Sequence, residues 1–144
     1  MFGIFVENTL ISIEDEQVQP AKIIIDEFEE SLCLPLSYWS VNDYKNCWKK
    51  SLEEGISSKK HAALAVSMYE PEQSNFIYTW VIYFENDEIF LQNSILFLNE
   101  IQGFTPDRIN DFIDIRTTHD DDGMKISEWS IDLKSVIDFY NSLK

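Results

Sequence analysis

Residues 76–84 read Phe-Ile-Tyr-Thr-Trp-Val-Ile-Tyr-Phe, and they decide the fold. Every position in this stretch is β-branched or aromatic, and such residues favour extended strands. The stretch shows no alternation of apolar and polar side chains, which is typical of a strand covered on both faces. We therefore expect a central β-strand here, in a sheet that has other parts of the chain packed on both sides.

The segments on either side of this stretch predict two neighbouring strands. The turn Glu85-Asn86-Asp87-Glu88 contains Asn and Asp, which tolerate positive φ, so it predicts a tight hairpin. Ile89–Leu98 then returns antiparallel to the central strand. Ala62–Tyr69, a run rich in small apolar residues, supplies the strand before it. Together these segments predict a three-strand antiparallel meander.

The N-terminal part predicts further strands followed by a helix. Phe2–Val6 and Leu10–Ile13 are short apolar runs, and their spacing predicts a first hairpin. Ile23-Ile24-Ile25 runs into Asp26–Glu30, which predicts one strand whose second half presents carboxylates to water. Ser40 is a good N-cap, and Gly55 occupies the expected C′ position of the helix that follows.

The C-terminal part predicts two more helices and one strand. Thr105-Pro106 opens a helix that carries Ile109, Phe112, Ile113 and Arg116 on one stripe. Met124–Trp129 is expected to form a strand, and Ser130 to cap a final helix with Leu133, Val136, Ile137 and Tyr140 on its apolar face. The whole pattern predicts a single α+β domain over residues 1–144, with antiparallel sheets and about three helices.

The charge of the chain is strongly negative. It contains 26 acidic residues against 11 Lys and Arg, a net charge of −15, and residues 61–107 contain no Lys or Arg at all. Binding to phosphate backbones depends on clustered Lys and Arg, so direct nucleic-acid binding is disfavoured. An acidic surface can steer a basic partner, or it can simply keep the protein in solution, and charge alone leaves both interpretations open.

The chain offers little material for catalysis or metal binding. It has two histidines, His61 and His119, and none of the common catalytic or nucleotide-binding motifs. His119 with Asp120, Asp121 and Asp122 could ligate a divalent cation, but three consecutive Asp side chains cannot all face one ion. We therefore expect a solvated acidic turn there, and a protein that is not an enzyme and has no metal or cofactor.

Several features favour a cytosolic protein. The N-terminal residues lack the basic leader, apolar run and cleavage site of a secretory signal. The most apolar stretches are about half of the roughly 20 residues that a membrane helix requires. Cys33 and Cys47 show no CxxC spacing, so reduced thiols are favoured over a disulfide or a metal pair.

Five segments of the chain carry a family resemblance: Leu34-Pro35-Leu36-Ser37-Tyr38-Trp39, Asp43-Tyr44-Lys45, Ala63–Pro71, Arg116-Thr117-Thr118-His119 and Asp122–Trp129. In these segments the chain resembles the immunity proteins of bacterial contact-dependent growth inhibition systems. The similarity extends from Met1 to Tyr140 and is strongest to the enterobacterial group paired with nuclease toxins. None of the segments is a catalytic signature, so the resemblance identifies a family without locating a site.

The resemblance implies a fold and a function. The family fold is α+β with antiparallel sheets, similar to the Whirly domains that bind single-stranded DNA. The implied function is to bind a cognate toxin domain in the cytosol, as a monomer in a 1:1 complex. The toxin of the type example is a colicin-like nuclease that cuts ribosomal RNA. The inhibitor would cover the active site or the RNA-binding face of this basic nuclease. The alternative is an acidic nucleic-acid mimic that inhibits a host nucleic-acid-binding protein.

The candidate contact residues are acids in turns next to strands. We expect the toxin to be bound by three groups of carboxylates: Glu70 and Glu72; Glu85, Asp87 and Glu88; and Asp120, Asp121 and Asp122. The N-terminal carboxylates Asp26, Glu27, Glu29 and Glu30 form the second candidate patch. Half-exposed Trp and Tyr side chains would supply the apolar anchors, although core packing explains Trp48 and Trp80 equally well.

Overall fold

The computed structural model describes all residues from Met1 to Lys144 and contains two four-stranded antiparallel sheets and two α-helices. In chain order the elements are β1 (Phe2–Val6), β2 (Ile11–Ile13), β3 (Glu16–Ile25), β4 (Phe28–Pro35), α1 (Val41–Ser58), β5 (His61–Ala65), β6 (Phe76–Glu85), β7 (Glu88–Phe97), two 3₁₀ segments (Leu98–Glu100 and Pro106–Phe112), β8 (Trp129–Ile131) and α2 (Leu133–Ser142). The predicted α+β class with antiparallel sheets is confirmed.

The first sheet is built around the ten-residue strand β3. β4 pairs along one edge of it, while β1 and β2 lie end to end along the other edge, like one interrupted strand. The predicted hairpin between Phe2–Val6 and Leu10–Ile13 is therefore wrong. The buried side chain of Gln19 bridges the interruption by donating to the carbonyl oxygens of Glu7 and Thr9.

The chain reverses at each end of β3, and the second of these turns interrupts the strand predicted from Ile23 to Glu30. Glu14 and Asp15 both have positive φ and form the turn between β2 and β3. Asp26, with a φ of 52°, begins the turn into β4. The prediction of a single strand through Glu30 is therefore wrong, because Asp tolerates the left-handed conformation that a hairpin requires.

Helix α1 begins as predicted and ends later. Ser40 accepts from the backbone N–H of Asp43 at 3.2 Å, and Asp43 accepts from the Ser40 N–H at 2.8 Å, which completes a capping box. The C-terminal prediction is wrong, because Lys59, with a φ of 60°, is the left-handed cap. Gly55 lies inside the helix, where an added Cβ would stand 2.7 Å from the carbonyl oxygen of His61.

The second sheet contains the predicted meander. Its order is β5-β6-β7-β8, all antiparallel, and Asn86 in the β6–β7 turn has a φ of 58°. The meander and its tight turn are confirmed, although β5 ends at Ala65 rather than at Tyr69. β8 pairs only with Ile89–Leu91, so no strand pairs the outer edge of β7 beyond Leu91.

The C-terminal elements occur in the predicted order, but the type of the first helix, the bounds of the strand and the cap of the last helix differ from the prediction. Pro106–Phe112 forms a 3₁₀ segment with a kink at Arg108, and Arg116 lies outside it. β8 begins at Trp129, and the cap of α2 is Asp132 rather than Ser130. The buried face of α2 carries Val136 and Phe139, while Leu133 is exposed.

The core lies between the two sheets and the two α-helices. Phe28 of the first sheet packs 4.6 Å from Trp129 and 6.3 Å from Trp80 of the second, measured between ring centroids. Trp48 of α1 is fully buried, contacts Phe139 of α2, and donates its Nε1–H to the carbonyl oxygen of Ala65 at 2.8 Å. No helix in the chain is both long and apolar enough to span a bilayer.

Candidate partner-binding surface

Four large apolar side chains are exposed together at one end of the β6–β7 hairpin. Phe76 pairs with Phe97 across the hairpin, and Tyr78 pairs with Ile95, so all four lie on the same face of the sheet. Their exposed fractions are 42% for Phe76, 48% for Tyr78, 41% for Ile95 and 48% for Phe97. We call these four residues the apolar patch.

The apolar patch continues the buried face of the same sheet. Trp80 and Ile82 follow Tyr78 on that face, and only 2% and 0% of their surface is exposed. The prediction that the central strand is covered on both faces is confirmed from Thr79 to Phe84 and wrong at Phe76 and Tyr78. At this end of β6 and β7 the elements packed on the sheet cover it only in part, so an apolar face is about half exposed to solvent.

A groove of about 870 Å³ separates the apolar patch from β4. Tyr78, Ile95 and Phe97 line one side of it, and the β4 segment from Glu30 to Cys33 lines the other. Trp80 and Ile126 also contribute to the lining. Glu30 and Asp120 are the charged residues of the lining, which contains no Lys or Arg. The groove is thus partly apolar and carries negative charge only.

The predicted carboxylates Asp120, Asp121 and Asp122 lie in an exposed turn, and the first of them reaches the groove. Oδ1 of Asp120 accepts from the N–H of Asp122 at 3.0 Å and from that of Met124 at 2.9 Å. A β-bridge between His119 and Lys125 closes this turn. Two backbone donors therefore hold the Asp120 carboxylate in a fixed position. No cluster of three potential metal ligands exists in the chain.

Glu70 and Glu72 lie in the loop before β6, next to the apolar patch in the chain. Glu70 and Phe76 line one shallow depression together with Tyr38 and Tyr69. Glu72 is exposed in the same loop. The structure thus brings Glu70 and Asp120 to two sides of the apolar patch.

The remaining predicted acids lie elsewhere. Glu85 ends β6, Glu88 begins β7, and Asp87 lies in the turn between them. This end of the hairpin is roughly 24–31 Å from the residues of the apolar patch, at about 3.4 Å per residue. Glu85 is also engaged, because its carboxylate lies 3.6 Å from the guanidinium of Arg116. The eight predicted carboxylates therefore do not form one surface, and their contact with a partner stays a prediction.

One ion pair that the sequence does not predict ties residues 116–128 to β7. Arg116 donates to both carboxylate oxygens of Glu128, at 2.8 and 2.6 Å, and its guanidinium lies 3.8 Å from the centre of the Phe90 ring. Gln92 donates to Glu128 at 2.7 Å. The hydrogen bond from Arg116 lowers the pKa of Glu128 below its ordinary value, and the same bond raises the pKa of Arg116.

The two histidines contact uncharged oxygen atoms, and the two cysteines are free thiols. The imidazole of His61 contacts the backbone carbonyl of Asn110 at 2.7 Å, and that of His119 contacts the Thr118 hydroxyl at 2.9 Å. Both cysteines are free; Cys33 is exposed in the groove and Cys47 is half-buried. Burial raises the pKa of the Cys47 thiol to about 11, so this thiol is a poor nucleophile.

Comparison with known proteins shows the family to which the chain belongs. The profile of the CdiI N-terminal domain matches residues 34–139, and the chain belongs to this family of contact-dependent growth inhibition immunity proteins. The resemblance seen in the sequence is confirmed.

One curated protein and one solved structure are similar to this chain over almost its whole length. The immunity protein CdiI of Enterobacter cloacae subsp. cloacae is 62% identical over 143 residues, which is 99% of each chain. A chain in a solved structure of the CdiA-CT/CdiI toxin and immunity complex from Enterobacter cloacae has a TM-score of 0.95 and the same 62% identity. That match covers 99% of this chain and 98% of the other.

Proposed function

We propose that this protein is the immunity protein of a contact-dependent growth inhibition system and neutralises the CdiA-CT toxin domain of that system by binding it. The observation that carries the proposal is the similarity to the Enterobacter cloacae protein, whose solved structure is a toxin and immunity complex. A TM-score of 0.95 over almost the whole of both chains means that the two proteins have the same overall fold. They therefore share the framework on which a binding surface is displayed.

The charge supports a basic nuclease as the toxin. A nuclease presents Lys and Arg to the phosphates of its substrate, and a protein with a net charge of −15 complements that surface. Complementary charge raises association rates from a neutral ~10⁵–10⁶ to as much as ~10⁸–10⁹ M⁻¹s⁻¹ at low salt. An inhibitor that acts on a toxin already inside the cytosol gains directly from such speed. Neutralisation is by occlusion in a 1:1 complex and requires no catalytic step.

The first test is a neutralisation assay. The cognate CdiA-CT toxin domain is purified and incubated with ribosomes while this protein is titrated in. Cleavage of ribosomal RNA should stop at a molar ratio of one to one, and a single complex should be seen by light scattering. Failure to bind the toxin would overturn the proposed function.

Two further outcomes separate the parts of the proposal. If the toxin is bound and neutralised but does not cut RNA, the immunity function stands and the nuclease assignment is wrong. If this protein instead inhibits a host nucleic-acid-binding protein and ignores the toxin, it acts as a nucleic-acid mimic. The association rate should fall steeply as NaCl rises from 50 to 500 mM, because the Debye length shortens from about 14 to about 4 Å.

A further inference from the structure

We propose that the apolar patch and the adjoining groove are the docking site for the toxin domain, which would place apolar side chains on the patch and Lys or Arg side chains against the groove. This inference rests on the proposed function and assigns the surface that performs it. It concerns Phe76, Tyr78, Ile95 and Phe97, with Glu30, Glu70 and Asp120 around them.

The apolar patch is the half-exposed end of a sheet face that is otherwise buried in the core. Ile77 and Leu96 lie between the patch residues along the strands, and both are buried. At this end of the hairpin, one face of the sheet is therefore covered and the opposite face, which carries the patch, is exposed. A face that only needs to meet water carries polar side chains at such positions. Contiguous apolar surface of this kind marks interaction sites in soluble proteins.

The aromatic rings of the patch are carried on a regular strand and are chemically suited to anchoring a partner. The rings of Phe76 and Tyr78 contact each other edge to face at 5.5 Å, and both are carried on a ten-residue strand rather than on a loop. Aromatic side chains held in this way lose little freedom on binding, and they are enriched among the residues that dominate interface energies.

The charge around the patch and the groove decides the kind of partner that they can bind. Every charged residue that lines the groove is acidic, and β5, β6 and β7 lie within residues 61–107, which contain no Lys or Arg. Glu70 adds a carboxylate beside Phe76. An apolar centre with an acidic margin is complementary to a basic protein surface that carries apolar side chains. It disfavours phosphate backbones and a second copy of this chain, since both are negatively charged.

The test compares two isoleucines with the same exposure. Ile95 in β7 and Ile11 in β2 are both on strands and both 41% exposed, so Ile95→Lys and Ile11→Lys change the net charge and the surface equally. Affinity for the purified CdiA-CT toxin domain is measured by calorimetry, and Tm by scanning calorimetry. We expect Ile95→Lys to weaken binding about 100-fold, as loss of an anchor contact does. Ile11→Lys should bind like the wild type at the same Tm.

A second measurement tests the docking site in the wild-type protein, where no substitution can affect folding. Cys33 is exposed in the groove, whereas Cys47 is half-buried. Bound toxin should protect Cys33 from a bulky maleimide, read by mass spectrometry of the Cys33 peptide. A double variant, Glu30→Gln with Asp120→Asn, should lower the salt dependence of the association rate. The amide oxygen that this variant places at position 120 can still accept from the turn N–H groups, so the turn is kept while its charge is removed.

The other possible results would overturn either the proposed function or the docking site. Wild-type protein that fails to bind the toxin would overturn the proposed function itself. Equal binding by the Ile95 and Ile11 variants, or a Cys33 that reacts freely in the complex, would overturn the docking site alone. So would a dimer of this chain, or binding to single-stranded RNA, that the Ile95→Lys variant loses, because the patch would then have another occupant.

Discussion

Replacement of Glu128 by Ala should destabilise the protein by about 2–3 kcal/mol. Glu128 accepts two hydrogen bonds from Arg116 and one from Gln92. Breaking a fully buried ion pair costs about 3–5 kcal/mol, an exposed pair contributes about 0–1 kcal/mol, and this pair lies between the two cases. The side chains of Arg116 and Glu128 are 17% and 16% exposed, so solvent screens the pair only in part. Arg116 would keep its contacts with Glu85 and Phe90, which limits the total loss.

The assay is urea unfolding followed by tryptophan fluorescence, with Asp111→Ala as the control. Asp111 pairs with Arg108 at 2.7 Å, but these side chains are 52% and 75% exposed. Such a pair contributes about 0–1 kcal/mol, so the control should lose little. For a chain of this length, 2–3 kcal/mol corresponds to a fall in Tm of roughly 6–12 °C. A loss at Glu128 no larger than that at Asp111 would refute the reasoning.

The pH dependence gives an independent check. The pKa of Glu128 is lowered in the folded state, so its contribution is fully present above the unfolded pKa of about 4.3. The contribution disappears as the pH falls through the lower, folded pKa. The difference in unfolding free energy between wild type and Glu128→Ala should therefore be constant from pH 8 to about pH 5 and shrink at more acidic pH. A difference that grows on acidification would contradict the assigned ion pair.

Three further predictions concern other parts of the fold. Ser40→Ala removes the cap of α1 and should cost about 1 kcal/mol in urea unfolding. Gly55→Ala should destabilise by roughly 1–3 kcal/mol although Ala favours helices, because its Cβ would stand 2.7 Å from the His61 carbonyl oxygen; a gain in Tm would contradict this close approach. In the native protein at pH 8, a thiol reagent should modify Cys33 quickly and Cys47 only on unfolding, since burial raises the pKa of Cys47 to about 11; two fast thiols would be the contrary result.

The local patterns of the sequence predict the β6–β7 hairpin correctly. The run from Phe76 to Phe84 and the turn at Asn86 contain all that a hairpin needs, because the pairing partners are adjacent in the chain. The α1 start is equally local, since Ser40 and Asp43 cap each other within four residues. Such features depend on neighbours only.

Features that depend on distant partners are not predicted. β1 and β2 lie end to end because β3 pairs with both, and nothing in Phe2–Ile13 itself indicates that arrangement. Gly55 has the composition of a helix end, but the helix continues because the next strand passes close to it. The Arg116–Glu128 pair joins positions twelve apart across an irregular segment, for which no periodicity exists.

The candidate surface also combines local features that the sequence predicts with features that depend on distant parts of the chain. The turn positions of the acidic residues are predicted well, and all eight are exposed. Their grouping is not, because the length of β6 and β7 separates Glu70 from Glu85. Phe76 and Tyr78 are part of an unbroken apolar run, so the sequence alone gives them the same burial as Trp80. Only the extent of the covering elements distinguishes them.

In solution, copies of this protein must remain apart until a partner arrives. Each copy carries a bare apolar patch and, along β7 from Gln92 to Phe97, an outer strand edge that no other strand pairs. Such edges and patches promote aggregation when two molecules meet. A net charge of −15 makes those encounters repulsive, so the acidity keeps the unbound protein dispersed. Acidification towards the isoelectric point near 4.3 should remove this repulsion and turn a stable solution into a turbid one.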